Sequence, residues 1–314
     1  VTTNAFYPNR RQVLTAAALA GLAPSLTAAG EQRPQAPFTY SLNTSTIRGQ
    51  KLPFVEEVGI AAKAGYQAIE PWIEELERYV QGGGDLRDLN RRIADAGLRV
   101  ESAIGFAEWI VDDEGRRRKG LEAARRAMDM VRQIGGRRLA APPVGATNQT
   151  DLSLTRATER YRALLEIGGQ IGVVPQVEVW GFSRSLSRLG ECALLAIESG
   201  HPQACVLADV YHLHKGGSGF TGLKLLSGAA LQVFHMNDYP AQPGRADITD
   251  AHRVYPGDGV APLVAMLRDL RRAGFQGVLS LELFNREYWK QDALNVARTG
   301  LEKMRAVVRA SLTS

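Results

Sequence analysis

From Phe38 onward the chain keeps one rhythm: a short apolar run, a polar stretch with helical periodicity, a glycine, and then the next apolar run. Eight runs read as strands: Phe38–Asn43, Ala68–Trp72, Leu98–Ile104, Arg138–Pro142, Val174–Trp180, Cys205–Val210, Leu231–His235 and Val278–Phe284. Their near-continuous apolar character suits parallel strands covered on both faces. Helical patterns lie between them at Pro53–Ala64, Asp85–Ala96, Glu114–Ile134, Leu154–Ile171, Leu186–Ser199 and Ala261–Ala273, each stopping before or beside a glycine. A helix-ending glycine followed by a strand is the mark of βα repetition. Eight repeats favour a closed (β/α)8 TIM barrel, an α/β single domain, over an open doubly wound sheet. No Gly-x-Gly-x-x-Gly follows the first strand, so no nicotinamide cofactor is expected.

In such a barrel the carboxyl ends of the strands converge on one rim, where active sites form. Four potential metal ligands sit near those ends on four different runs: Glu178, Asp209, His235 and Glu282. Three buried acids in one core would repel one another without a cation. Together with one imidazole they make a hard, oxygen-rich site for one divalent cation, better suited to Mn²⁺, Mg²⁺ or Co²⁺ than to structural zinc. Other residues near strand ends are candidates for substrate contact. Glu70 and Asn43 offer polar groups, while Trp72, Trp109 and Trp180 offer faces for sugar C–H surfaces or simply rim packing. The stretch 239–259, rich in Pro and Gly, leaves the run that bears His235; loops this long are usually functional. It is expected to close over the rim as a lid, with Asp238 either supporting the ligands or holding the loop.

With 45% hydrophobic and 23% charged residues the chain has the material for an ordinary core. The net charge of +5 comes from dispersed basic residues on helix faces, so no nucleic-acid partner is expected. Cys192 and Cys205 form no Cys-x-x-Cys pair and read as buried free thiols; count alone does not exclude a disulfide between them. Residues 1–30 read as a leader. Arg10-Arg11 precedes an Ala/Leu-rich stretch that ends near Thr27-Ala28-Ala29, which resembles a twin-arginine-type signal peptide. The expected organisation is therefore residues 1–30 as signal and 31–314 as barrel. The product would be periplasmic or secreted, with no membrane attachment after cleavage.

The pieces Val177-Glu178-Val179, Asp209-Val210-Tyr211-His212, Phe234-His235-Met236-Asn237-Asp238, Pro256-Gly257-Asp258-Gly259 and Leu281-Glu282-Leu283, in this order, resemble the xylose-isomerase-like superfamily of sugar isomerases and epimerases. The resemblance implies a metal held by Glu178, Asp209, His235 and Glu282. It also implies catalytic roles for Glu178 and Glu282 in moving protons, and for His212 beside the substrate. The reaction implied is proton abstraction next to a carbonyl through an enediolate, on a small-molecule sugar. Where epimerases of this type carry an acidic group after the first ligand, this chain has Gly181-Phe182-Ser183-Arg184, which makes Arg184 a substrate-binding candidate. Their arginine soon after the histidine ligand is also missing at that spacing; Arg245 is the first. Exported members that cleave 3-keto-glycosides by elimination supply an alternative with the same metal and base. A non-catalytic sugar-binding barrel is a third class. A DNA-repair endonuclease relative would need a histidine-rich three-metal cluster, and only five histidines are present. Assembly into a homo-oligomer is left open.

Overall fold

The computed structural model describes residues 38–313; the leader assigned to residues 1–30 lies outside them. Seven strands form one parallel sheet: β1 (Thr39–Asn43), β2 (Ala68–Glu70), β3 (Arg138–Ala141), β4 (Val174–Glu178), β5 (Val206–Asp209), β6 (Leu231–Met236) and β7 (Val278–Leu281). Their order is β2-β1-β7-β6-β5-β4-β3. The eighth stave is residues 98–104, which pair only by isolated parallel bridges: Ala68 with Arg99 and Trp72 with Ile104 on one side, Ala103 with Leu139 on the other. These bridges join the two sheet edges and close the barrel. Its ladder is interrupted in the middle, where the Glu101 carboxylate turns to Arg99, Arg137 and Arg138 and the Ser102 hydroxyl accepts from the Gln176 amide.

The outer layer is α1 (Phe54–Ala64), α2 (Ile73–Gln81), α3 (Leu86–Asp95), α4 (Glu114–Gln133), α5 (Leu154–Ile171), α6 (Leu189–Glu198), α7 (Val210–Gly216), α8 (Leu263–Arg272) and α9 (Ala293–Leu312). Gly65 and Gly172 end α1 and α5 with φ of 94° and 88°, a conformation that costs glycine nothing. The sequence pattern missed α2, α7 and α9. The first two start straight out of strand ends, where no polar linker separates one periodicity from the next. Cys192 and Cys205 are both buried and free. Among the described residues no helix is long and apolar enough to cross a membrane.

The main core lies between sheet and helices, and a smaller cluster of Ala140, Leu207, Val233 and Val278 with Trp72 and Ile104 is separate from it. Because strand side chains alternate, Leu207, Val233 and Val278 share the inner face with Asp209, His235 and Ser280, two residues further along. The apolar plug therefore floors a polar rim.

One buried charge lies away from that rim. Glu57 on α1 is buried, one carboxylate oxygen has no partner, and burial with Glu75 nearby raises its pKa from 4.5 to about 9. A raised folded-state pKa contributes stability that is complete below 4.5 and is lost as pH rises towards 9. Glu57→Gln removes that loss. Thermal unfolding of the variant should vary little between pH 5 and 9 through this group, and at pH 8 should exceed wild type by about 1–3 kcal/mol; parallel pH profiles for the two proteins would refute this.

Candidate metal centre

Three neighbouring strands bring three candidate ligands together. Asp209 ends β5, His235 lies near the end of β6 and pairs with Asp209 in register, and Glu282 follows β7 with its N–H donated to Met236 O at 3.1 Å. One ligand atom from each of Asp209, His235 and Glu282 lies within 4.8 Å of the others, and all three residues are buried. Asp209 is fixed at both oxygens. Oδ1 accepts from the His212 N–H at 2.7 Å and so caps α7; Oδ2 accepts from Asn237 Nδ2 at 2.8 Å and Arg253 Nη1 at 2.9 Å. Glu178 ends β4 and stands outside that triad, but it lines the same cavity as Glu282 and His212. After it the chain passes so close to α7 that a Cβ on Gly181 would lie 2.2 Å from His212 O. Only glycine permits that approach.

Four buried carboxylates, Glu70, Glu178, Asp209 and Glu282, face two cationic groups. Burial opposes the charge on Glu282, but His235 and Arg253 overcome it and hold this carboxyl far below its usual range. Glu70 is likewise buried and is still lowered, by His235 and by the Ser280 hydroxyl. His235 moves the opposite way: burial disfavours its cation, yet Glu282 and Glu70 raise it well above its usual value. Glu178 makes no ion pair with either His235 or Arg253. Burial dominates there and pushes its pKa up to about 8; His235 pulls it down, and the neighbouring acids oppose that pull.

His235 Nδ1 lies 3.2 Å from Glu282 Oε2 and Nε2 lies 3.1 Å from Glu70 Oε2. Neither contact has hydrogen-bond alignment, so both buried ring nitrogens are without a true partner, as is Glu178 Oε2. Unsatisfied buried imidazole and carboxylate atoms beside Asp209 and Glu282 are the donor set a divalent cation needs. The imidazole turns Nδ1 towards Asp209 and Glu282 and Nε2 towards Glu70.

Several expected contacts are placed differently. Asn43 donates to Glu70 Oε2 at 2.9 Å and Glu282 Oε1 at 3.2 Å, and accepts from Ser45 N and Trp72 Nε1. Its hydrogen-bonding capacity is filled, so it orients carboxylates and has nothing left for a substrate hydroxyl. Glu70, expected to touch substrate, is likewise held behind His235, by Asn43 and Ser280. Arg184 is exposed and does not line the cavity, because the chain turns there and Phe182 takes the rim position. Trp180 and Trp72 line the cavity; Trp109 is buried elsewhere, donating to Pro142 O. His212 lines the cavity with its two ring nitrogens facing the Gly181 N–H at 3.2 Å and Arg253 Nη2 at 3.2 Å. Burial and Arg253 lower its pKa against the pull of Asp209, so the ring is kept neutral.

Arg253 was not anticipated. It lies in the 239–259 stretch, only 1% exposed, and donates to Asp209, Glu282 and Asp250. Its position just before Pro256-Gly257-Asp258-Gly259 was the available signal. The stretch is also fastened more firmly than a free lid. Lys215 Nζ donates to the carbonyls of Arg245 and Ala246, Asp238 pairs with Val254, and the Asp238 carboxylate accepts from Tyr239, Gly257 and Ala261. Opening it as a unit would expose Arg253.

A closed parallel barrel with a carboxylate-rich candidate cation centre on its carboxyl rim is the class of protein defined here. The chain matches the Xylose isomerase-like TIM barrel family over residues 58–307, and it belongs to that family. It is 27% identical over 260 residues to the inosose isomerase of Bacillus velezensis, covering 81% of this chain and 91% of that protein. It is 24% identical over 266 residues to the 3-dehydroshikimate dehydratase of Pseudomonas putida, covering 84% of this chain but 41% of the relative. A crystal structure of the IOLI protein with a bound zinc atom superposes with a TM-score of 0.81 at 21% identity, over 88% of this chain and all of that one.

Removing Arg253 should separate its two effects. In chelator-treated protein, Arg253→Met leaves Asp209 and Glu282 uncompensated and should cost about 3–5 kcal/mol of stability. Added Mn²⁺ should then raise the melting temperature of the variant more than that of wild type. Equal Mn²⁺-induced shifts would show that Arg253 does not share the cation's electrostatic role.

Proposed function

We propose that this chain is a divalent-metal-dependent isomerase or epimerase of a small sugar-like ketone, working by proton abstraction from the carbon next to a carbonyl. The observation that carries this reading is the contrast between two carboxylates sharing one cavity. Glu282 is bonded to Arg253 and Asn43, whereas Glu178 lines the cavity with one oxygen that has no protein partner. A carboxylate oxygen without a protein partner beside a bound substrate can accept its proton.

Asp209, His235 and Glu282 would hold the cation, with Glu178 as the fourth ligand; the oxygen-rich set favours Mn²⁺, Mg²⁺ or Co²⁺. When bound, such a cation supplies Lewis-acid polarisation of a carbonyl oxygen. Glu178 takes the proton from the adjacent carbon. His212 lines the same cavity with its ring nitrogens engaged by the Gly181 N–H and Arg253, so it offers substrate its ring face beside Glu178. Asn43 and Glu70 keep Glu282 and His235 oriented, and the aromatic walls limit water around the reacting carbon.

A second reading, elimination from a 3-keto-glycoside, uses the same proton abstraction followed by departure of the neighbouring substituent. The similarity to a protein named a dehydratase favours it. Both readings predict deuterium from D₂O beside the carbonyl, in product or recovered ketone. Glu178→Gln should slow that exchange at least about 100-fold, while Glu282→Gln should weaken Mn²⁺ binding and turnover together. Turnover without solvent deuterium would point to a hydride shift and remove Glu178 as base.

We also propose export by the twin-arginine route, supported by Arg10-Arg11 and the apolar stretch after them. Replacing both by Lys should retain the full-length protein in the cytoplasm on fractionation; unchanged distribution would exclude this route.

A further inference from the structure

Beyond the ligands the rim changes from acidic to aromatic. Phe284, Trp72, Phe106, Trp180, Phe182 and His212 form an unbroken succession of neighbouring rings. Centroids lie 5.9 Å apart for Trp72–Phe284, 5.1 Å for Trp72–Phe106, 6.0 Å for Phe106–Trp180, 5.0 Å for Trp180–Phe182 and 5.6 Å for Phe182–His212. All six line the cavity that contains Glu178 and Glu282. They come from segments following β7, β2, the 98–104 stave, β4 and β5, so this collar is assembled by barrel closure and is not a local sequence cluster.

The collar is graded from inside to outside. Trp72 and His212 are buried, whereas Phe106 and Phe182 remain 37% and 44% exposed. Contiguous apolar rings left in water at the mouth of a site mark a surface that a ligand covers. Size points the same way. The cavity measures about 210 Å³, below the roughly 300–1,000 Å³ of pockets that bury drug-sized ligands. A single sugar-sized ring takes up most of this volume, so a group attached to it extends towards the solvent-exposed faces of Phe106 and Phe182.

Charge narrows what the attachment is. The charged residues lining the cavity are Glu178, Asp250, Glu282 and Arg253, and Arg253 is already paired with Asp209, Glu282 and Asp250. Among the described residues, no uncommitted cation lines the cavity to receive a phosphate or carboxylate on the outer part of the substrate. Aromatic faces instead favour flat, neutral groups by offset or edge-on stacking.

We propose that the Phe106–Trp180–Phe182 face is a subsite for a planar apolar substituent carried by the sugar. The substrate is then a neutral keto-glycoside with an aromatic aglycone, not a free or phosphorylated sugar. This rests on the chamber being a sugar site, as under the proposed function, and is independent of which bond changes there.

The test is calorimetric binding to the Mn²⁺-loaded protein, with phenyl β-glucoside and methyl β-glucoside as probes and glucose 6-phosphate as the charged comparison. Phenyl β-glucoside should bind at least about tenfold more tightly than the methyl compound, a ratio in keeping with one favourable aromatic contact plus its buried area. In the Phe106→Ala/Phe182→Ala double variant the ratio should collapse towards one, and in Phe106→Tyr/Phe182→Tyr it should persist. Both positions are part-exposed, and unchanged melting temperatures would establish that the variants are folded. Equal binding of the two glucosides to wild type, survival of the preference in the double Ala variant, tighter binding of glucose 6-phosphate, or no binding of any probe at millimolar concentration would each overturn the subsite. Absence of solvent deuterium exchange in phenyl 3-keto-glucoside, which unlike the binding probes carries the ketone, with the phenyl preference intact would sink the proposed reaction and leave the subsite standing; the opposite pattern would do the reverse.

Discussion

Glu70, Glu178, Asp209 and Glu282 are held out of water at one end of the barrel, and much of the surrounding structure works against their mutual repulsion. Two protein cations enter the cluster. His235 sits between Glu70 and Glu282, and Arg253 reaches Asp209 and Glu282 from the long connection after β6. A buried acid without a partner shifts its pKa until it is neutral. Glu178 is the member whose pKa burial raises; its Oε2 and Glu70 Oε1 both lack a hydrogen-bond partner, and of these two residues Glu178 lines the cavity. Unequal compensation thus separates chemically identical groups: Glu282 is stabilised as the anion and Glu178 is not.

Strand register makes this division possible. Asp209 lies opposite His235, and His235 opposite Ser280, so Glu282 stands two residues beyond that level and brings its carboxylate to His235 Nδ1 through its side chain. Two residues below them, Leu207, Val233 and Val278 belong to the apolar plug that floors the rim. A one-residue slip of any of these strands would turn its ligand outward and break the site.

The rim combines two surfaces of opposite character. Carboxylates and the imidazole occupy the floor, while Trp72, Phe106, Trp180, Phe182 and Phe284 form the wall. Trp72 links the two: its Nε1 donates to Asn43, which in turn donates to Glu70 and Glu282. Aromatic walls lower the local dielectric and strengthen every charge interaction on the floor. Binding of an apolar group and the charge chemistry below it are therefore physically coupled.

Strand and helix periodicity, with glycines at helix ends, was enough to specify a parallel barrel and to place Glu178, Asp209, His235 and Glu282 near strand ends. Those features depend on residues close together in the chain. The sequence pattern also marked 98–104 as a strand, although only tertiary pairing shows it to be an irregular stave held at its ends. Arg253 carried a local signal only in its place before Pro256-Gly257-Asp258-Gly259; its pairing with Asp209 and Glu282 is set by tertiary contacts. Asn43, Glu70 and Arg184 were near the right rim by sequence. Whether each faced substrate, another ligand or solvent depended on hydrogen-bond partners up to 239 residues away, as between Asn43 and Glu282. Sequence by itself determined the repeating units and the types of ligand they carry. Tertiary structure alone decided which carboxylates are neutralised, because electrostatic compensation is set by distances across the closed barrel and not along the chain.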